Sequence, residues 1–251
     1  MLAGCAGSRG AADALDAFWS AEDFASGTAF ADLEAAQDKF DRWCGLLDRA
    51  DSTEALTALL AFSDSVKADP VSNNIYSLWI REALYHPESP HRNDFLFLAW
   101  LDKMLEEALL DDWMLDVLRQ TACVAGNFVV GRPVADFSVT EAGGKTLSPA
   151  DYRGAPLALL FLDADCPTCT DYVTAVDAEL YRRGIDAARV AVFSGSSADH
   201  AAAMARVLPD GWTVAWSPSR ELENGRIYDL TLLPSALLIG PSGVLESYLN
   251  P

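Results

Sequence analysis

The stretch FLDADCPTCTDYV, residues 161–173, ends an apolar run and holds two cysteines separated by two residues. The run LALLFLDA at 157–164 predicts a buried strand, and the pattern that follows predicts a helix from about Pro167 to Arg183. Cys166 would then lie at the helix N-terminus, where free backbone N–H groups and the positive end of the helix dipole favour a thiolate. Cys169 follows on the same helix face and could resolve a mixed disulfide formed at Cys166. The spacing therefore predicts a redox-active dithiol.

The cysteine pair also has two alternative uses. The first is a structural disulfide or a redox site that no longer functions. The second is a metal site, but zinc takes about four protein ligands. The sequence has no second Cys-x-x-Cys, and His86, His91 and His200 have no ligand-like spacing with the first. We therefore predict no metal site.

From about residue 124 the chain changes from a helical period to alternating strands and helices. A Gly- and Pro-rich segment leads into the strand that precedes the cysteines. Further elements are predicted as strands at 188–194, 213–216, 235–240 and 244–249, and as helices near 198–207 and 220–228. This order predicts an α/β sheet with parallel pairs that ends in a hairpin.

Three segments of this second half carry a family resemblance. They are GRPVADFSV (131–139), LSPADYRGAPLALLFLDADCPTC (147–169) and YDLTLLPSALLIGPSGVL (228–245). In this order they resemble the thioredoxin-like thiol–disulfide oxidoreductases of the TlpA and ResA type, which are related to AhpC/TSA proteins. The resemblance covers residues 127–251, which we interpret as a thioredoxin-like domain.

The resemblance implies a role for each matching residue. Cys166 would be the attacking thiol and Cys169 the resolving thiol. Pro234 would be the cis-proline that faces them, and Leu233 would offer its backbone to the substrate peptide. The implied function is thiol–disulfide exchange with protein disulfide or dithiol clients, with electrons supplied by a partner dithiol and with no bound cofactor.

The residues before the first cysteine depart from the family pattern. Family members commonly carry Trp in one of the two positions before this cysteine, whereas this chain has Ala164 and Asp165, with Asp163 before them. A nearby carboxylate disfavours a second negative charge, so Asp163 and Asp165 should raise the pKa of the Cys166 thiol. We therefore expect a reductant or an isomerase-like protein rather than a strong oxidant.

Two alternative functions belong to other classes. One is a binding module that keeps the fold without catalysis. The other is a thiol peroxidase, because the segment at 131–139 also resembles the peroxiredoxin superfamily. That family has a Thr-x-x-Cys motif, but Asp163 stands at the Thr position here.

The first half of the chain is predicted to be a helical bundle over residues 11–126. Its apolar residues recur at three- and four-residue spacing, and Asp51 with Glu54 predicts a helix start at Ser52. The segment YHPESPHRND (85–94) resembles the "NP-x-SP-x-RN" part of a helical domain that precedes thioredoxin-like domains in Gram-negative envelope proteins. The predicted helices are ALDAFWSAEDF, LEAAQDKFDRWCGLLDRA, STEALTALLAFSDSV, NNIYSLWIREALY and NDFLFLAWLDKMLEEALLDDWMLDVLRQ.

The first ten residues predict a tether and a lipid anchor. LAGC, which ends at Cys5, resembles the lipobox of bacterial lipoproteins, although the charged and apolar regions of a signal peptide do not precede it. The small residues that follow are typical of a tether from lipid to domain. We therefore expect a lipidated Cys5 and a periplasm-facing protein of the cell envelope.

The charge and the remaining cysteines limit the other functions. The net charge is −19, and residues 1–126 carry 22 acidic and 9 basic side chains. This surface would repel a phosphate backbone, so we expect no nucleic-acid partner. Cys44 is predicted to pack as a small apolar residue, and whether it pairs with Cys123 stays open.

Overall fold

A computed structural model describes residues 14–15, 17–26, 28, 30–222, 224, 227–249 and 251. Cys5 and the predicted tether 1–10 lie outside the described residues. The chain divides into two compact units, residues 1–119 and 120–251. Helices precede a mixed sheet along the chain, which confirms the predicted fold class of a helical part followed by a thioredoxin-like part.

The helical part follows the predicted apolar period. Its aromatic core includes Phe40, Trp43, Phe62 and Tyr76, all at most 3 % exposed, and the rings of Trp43 and Phe62 lie 4.6 Å apart. No helix among the described residues is long and apolar enough to span a bilayer. From residue 33 the helices are α1 (Leu33–Leu47), α2 (Ser52–Val66), α3 (Pro70–Tyr85), α4 (Asp94–Glu107) and α5 (Asp112–Val124).

The start of α2 is the one predicted from sequence. The Asp51 carboxylate accepts a hydrogen bond from the Thr53 N–H at 2.9 Å, and the Glu54 carboxylate accepts one from the Asp51 N–H at 3.4 Å. Together these bonds satisfy backbone donors at the helix start that the helix itself leaves unpaired. Asp51 therefore forms the capping box with Glu54, although it is not the usual Ser or Thr.

Two predicted helical segments of this part are shorter or broken. Residues 19–21 form a turn inside the first predicted helix, 14–24. The last predicted helix, 93–120, is broken between α4 and α5, where Ala108 is left-handed with φ of 50°. The break is fixed by α3, because the Asn74 side chain exchanges two hydrogen bonds with Asp111.

The second unit is built on a seven-stranded sheet with strand order β2-β1-β5-β4-β3-β6-β7. The central pairs β3·β4 and β4·β5 are parallel, and the outer pairs are antiparallel. The strands are β1 (Val139–Glu141), β2 (Thr146–Leu147), β3 (Leu157–Asp163), β4 (Ala188–Ser194), β5 (Trp212–Trp216), β6 (Ser235–Ile239) and β7 (Leu245–Tyr248), and the helices between them are α6 (Cys169–Arg183) and α7 (Ala198–Met204).

The short helix predicted near 220–228 is wrong for the residues of this stretch that the structure describes. Residues 218–219 and 221–222 form turns, and residues 223, 225 and 226 lie outside the description. Arg220 is left-handed with φ of 56°, a conformation that a helix cannot continue. The Glu221 N–H donates to the Ser217 hydroxyl at 3.2 Å, so a side chain takes the place of a helical acceptor.

Candidate active site

Three chain segments meet at one edge of the sheet. The parallel strands β3 and β4 end together there, with Asp163 opposite Ser194. Strand β6 begins at the same edge, because it runs antiparallel to β3 with Ser235 opposite Phe161. The loops after β3 and β4 and the segment before β6 therefore converge, and the Ala164 N–H donates to the Ser194 carbonyl at 3.0 Å. In an open α/β sheet, the carboxyl ends of the strands are the usual place for a site.

The chain turns sharply between β3 and the cysteines. The Asp163 carboxylate accepts a hydrogen bond from the Asp165 N–H at 2.7 Å, and the Asp163 carbonyl accepts one from the Cys166 N–H at 3.3 Å. Because these bonds hold residues 163–166 in a turn, α6 begins at Cys169 rather than at about Pro167. The predicted position of Cys166 at the helix N-terminus is therefore corrected: Cys166 precedes the first helical turn.

Cys166 and Cys169 form a disulfide, with their Cα atoms 5.5 Å apart. The two residues differ in exposure. Cys169 is 1 % exposed, whereas Cys166 is partly exposed. A group in solvent can therefore reach Cys166 but not Cys169.

The burial of Cys169 follows from its place on α6. Val173, Val176 and Leu180 continue the same face at helical spacing, and all of them are fully buried in a cluster with Phe193 of β4. Cys166 packs only against the margin of this cluster. Cys169 is thus held by the core, and Cys166 lies at its edge.

The segment before β6 carries the other predicted site residues. The peptide bond between Leu233 and Pro234 is cis. Leu233 is extended, with φ of −88° and ψ of 144°. Its backbone N–H and carbonyl have no hydrogen-bond partner among the residues that the structure describes. An extended, unpaired backbone of this kind can pair with another extended peptide.

Sequence reasoning missed a residue that fixes this segment. Asp229 is 9 % exposed, and its carboxylate accepts hydrogen bonds from the Thr231 N–H at 3.0 Å and the Thr231 hydroxyl at 2.6 Å. These bonds cap the short 3-10 turn Leu230–Leu232, which leads directly into Leu233. The available signal was the spacing Asp-x-Thr before the proline, which is typical of such a cap.

Two aromatic residues at the margin of this core cluster were also missed. Tyr172 of α6 and Trp216 at the end of β5 pack against the same core cluster as Cys166, and both are only partly buried. Nothing near Cys166 in the sequence points to Trp216, because the sheet alone brings β5 to this edge.

Asp163 and Asp165 are both exposed. Asp163 has a structural role that the sequence did not indicate, because its carboxylate holds the turn before Cys166. Asp165 contributes its backbone N–H to that turn. Their predicted effect on the Cys166 thiol stays a prediction.

The other cysteines within the described ranges do not join this site. Cys44 is 1 % exposed and packs in the helical core as predicted. Burial, with Asp41 and Asp48 nearby, raises the pKa of its thiol far above the usual range. Cys123 is exposed, and it forms no disulfide with Cys44. No cluster of His, Cys, Asp and Glu that could hold a metal ion occurs among the described residues.

Comparisons with known proteins agree with this geometry. Residues 130–247 match the model of the AhpC/TSA family. The second unit therefore has a thioredoxin-like fold, and it contains the segment that matches the AhpC/TSA family model. No curated protein is a significant match to the chain.

Solved structures extend the likeness to the helical part. A thioredoxin-like protein from Bacteroides caccae superposes with a TM-score of 0.80 at 17 % identity, over 97 % of this chain and 90 % of its own. This likeness shows the fold of the whole chain and not its activity. A thioredoxin domain of a thiol–disulfide oxidoreductase from Bacteroides vulgatus matches 48 % of this chain and 88 % of its own, with 12 % identity and a TM-score of 0.41.

Proposed function

We propose that this AhpC/TSA-type domain catalyses thiol–disulfide exchange on protein substrates through Cys166 and Cys169. The observation that carries this proposal is the difference in exposure between the two cysteines. A client can react with Cys166 at the surface. Cys169 is within reach of Cys166 but shielded from the client, as a resolving thiol must be.

The electrons and protons of the exchange reaction balance without a bound cofactor. In the reducing direction the Cys166 thiolate attacks one sulfur of a client disulfide, and the other client sulfur leaves as a thiolate and takes a proton. The Cys169 thiolate, having lost its proton to solvent, then attacks the Cys166 sulfur and releases the second client thiolate. Two electrons have passed to the client, and the domain holds the Cys166–Cys169 disulfide, which a partner dithiol must reduce again.

We infer that the domain works as a reductant or an isomerase rather than as an oxidant. Asp163 and Asp165 lie next to the attacking residue, and CPTC contains no Lys or His to oppose them. The two carboxylates favour the thiol over the thiolate.

The client is proposed to bind along Leu233 and Pro234. Leu233 offers an extended backbone with an open N–H and carbonyl, so a client strand could add to it by backbone hydrogen bonds. Recognition of this kind is largely independent of the client's side chains. It therefore suits a protein that acts on several unfolded or extended clients.

Insulin reduction by dithiothreitol tests the activity. We expect the full chain to accelerate precipitation of the insulin B chain, and we expect Cys166→Ser to remove the acceleration completely. No acceleration by the unmodified chain would contradict the proposal and favour the non-catalytic binding module. Rapid consumption of hydrogen peroxide by the reduced chain would instead favour the thiol peroxidase.

We also propose that the protein works at the cell envelope, anchored through a lipidated Cys5. The LAGC sequence supports this proposal, together with the Gly- and Ala-rich residues after it. Mass spectrometry of the protein isolated from membranes should find diacylglycerol on Cys5. An unmodified Cys5, or a Cys5→Ala variant that stays in the membrane fraction, would contradict this anchor.

A further inference from the structure

A groove of about 510 Å3 lies on the helical unit, and none of its lining residues belongs to the proposed exchange reaction. Helices α1 and α3 form its two sides, and the Pro-rich turn after α3 closes one end. Its volume is within the range of known ligand sites, which is about 300–1,000 Å3. The residues that matter for its chemistry are Phe40, Asp41, Trp79, Glu82, Pro90 and His91.

The aromatic wall of the groove is held in place before any ligand arrives. Trp79 is partly exposed, and its ring contacts Phe30, Phe40 and Tyr76 at centroid distances of 5.6, 5.7 and 5.2 Å. Two of these contacts, with Phe30 and Tyr76, are perpendicular. These neighbours fix the orientation of the Trp79 ring while one part of it faces the groove.

Carboxylates line both sides of the groove. Asp41 of α1 and Glu82 of α3 are exposed carboxylates. Glu82 accepts a hydrogen bond from Arg81 at 2.7 Å, whereas Asp41 has no ion-pair partner among the described residues. A Trp ring and carboxylates that line one groove can together bind a cation, and the planar guanidinium of Arg suits such a site best.

The turn that closes the groove is rigid. The Ser89 hydroxyl donates to the Ala83 carbonyl at 2.5 Å and accepts from the His91 N–H at 3.1 Å. The His91 ring is in turn hydrogen-bonded to Asp48 at 2.6 Å. Residues 89–91 of the segment 85–94 thus line the groove in a conformation that side-chain hydrogen bonds hold.

We propose that this groove binds an arginine side chain of a partner polypeptide. The guanidinium would lie over Trp79, with Asp41 and Glu82 neutralising its charge. The excess of acidic side chains in residues 1–126 would attract such a partner from solution. Arginine binding at this groove does not depend on the chemistry of Cys166, so it can be tested separately from thiol–disulfide exchange.

A pair of matched peptides tests the groove. The full chain is titrated by calorimetry at low salt with a capped Gly-Arg-Gly peptide and with the same peptide carrying citrulline, which keeps the shape and removes the charge. We expect the arginine peptide to bind more tightly. We also expect the variant Asp41→Asn with Glu82→Gln to weaken that binding by about two- to thirtyfold, the range for two exposed ion pairs.

Asp38→Asn is the matched control. Asp38 is an exposed carboxylate on the same helix that does not line the groove, so the substitution should leave the affinity unchanged. An equal loss in the control would overturn the proposal, because it would reveal general attraction to an acidic surface. Equal binding of the citrulline peptide would overturn it as well. All three substituted positions are exposed, and a thermal melt of each variant verifies that it folds.

Discussion

The sulfur atoms of Cys166 and Cys169 differ in their access to solvent, and this difference predicts which variant captures a client. In Cys169→Ser the mixed disulfide between Cys166 and a client cannot be resolved from within the domain. We therefore expect covalent complexes that resist non-reducing electrophoresis and disappear with dithiothreitol. The Cys166→Ser variant should form at least tenfold fewer of these complexes, since its remaining thiol, Cys169, is buried. Equal capture by both variants would contradict the assignment of the two roles.

The Asp163 side chain has two roles that substitutions can separate. Its carboxylate charge is predicted to raise the pKa of the reduced Cys166 thiol, and its oxygen holds the turn through the Asp165 N–H. Asp163→Asn keeps an acceptor and removes the charge, so the pH at which Cys166 is half-alkylated should fall, with little change in stability. Asp163→Ala also removes the acceptor and should lower the free energy of unfolding by about 1 kcal/mol.

The alkylation is followed with iodoacetamide in the Cys169→Ser background, so that Cys166 is the reacting thiol of the motif. Asp165→Asn serves as the comparison, because Asp165 contributes its backbone rather than its side chain to the turn. If the pH dependence of alkylation in all three variants is the same as in the Cys169→Ser parent, the carboxylates do not tune this thiol and the inferred direction of exchange loses its support.

At the scale of the elements, an ion network joins α2 to α4. The Lys67 ammonium group contacts the carboxylates of Glu107 and Asp64. The Lys103 Nζ atom lies 2.9 Å from a carboxylate oxygen of Asp64 and 3.3 Å from one of Glu107. The hydrogen bond from Lys67, aided by Lys103, lowers the pKa of Glu107 below its ordinary value. The pKa of Glu107 is therefore lower in the folded chain than in the unfolded chain.

This shift gives the network a defined pH dependence. The stabilisation by Glu107 is present above the unfolded pKa of about 4.3 and is lost as the pH falls through the lower folded value. Glu107→Gln should therefore lower the urea midpoint at pH 7, and the difference from the unmodified chain should shrink at pH 3. Glu106→Gln, at an exposed neighbour, should have no effect at either pH. A Glu107→Gln effect of the same size at both values would contradict this account.

The elements also reveal how far the sequence determines the fold. Helix α2 begins and ends where its apolar period and the Asp51 cap predict, because both signals are local. The break between α4 and α5 was not predictable in this way. It depends on hydrogen bonds from Asn73 to Leu109 and from Asn74 to Asp111, which lie 36 and 37 residues away in sequence.

The same distinction applies to the candidate site. Cys166, Cys169 and Pro234 stand in recognisable motifs, so the sequence predicts them one by one. The turn held by Asp163 moves the start of α6 by about half a helical turn, which no periodicity reveals. Asp229 and Trp216 come from distant segments, and only the strand order of the sheet brings those segments to one edge.

At the scale of the whole molecule, the chain combines a helical part and a thioredoxin-like domain under a net charge of −19. We propose separate tasks for the two parts: the dithiol exchanges electrons with a client, and the groove beside Trp79 holds an arginine. The association with the proposed arginine-bearing partner should therefore become slower as the salt concentration rises.

The reduction potential of the Cys166/Cys169 couple tests the central claim most directly. The full chain is equilibrated with glutathione buffers, its free thiols are alkylated, and the masses of the products are measured by mass spectrometry. We predict a single two-electron transition near the thioredoxin value of about −270 mV, as expected of a reductant. A potential near about −120 mV would mark an oxidant and contradict the inferred direction, and the absence of any reversible transition would contradict thiol–disulfide exchange itself.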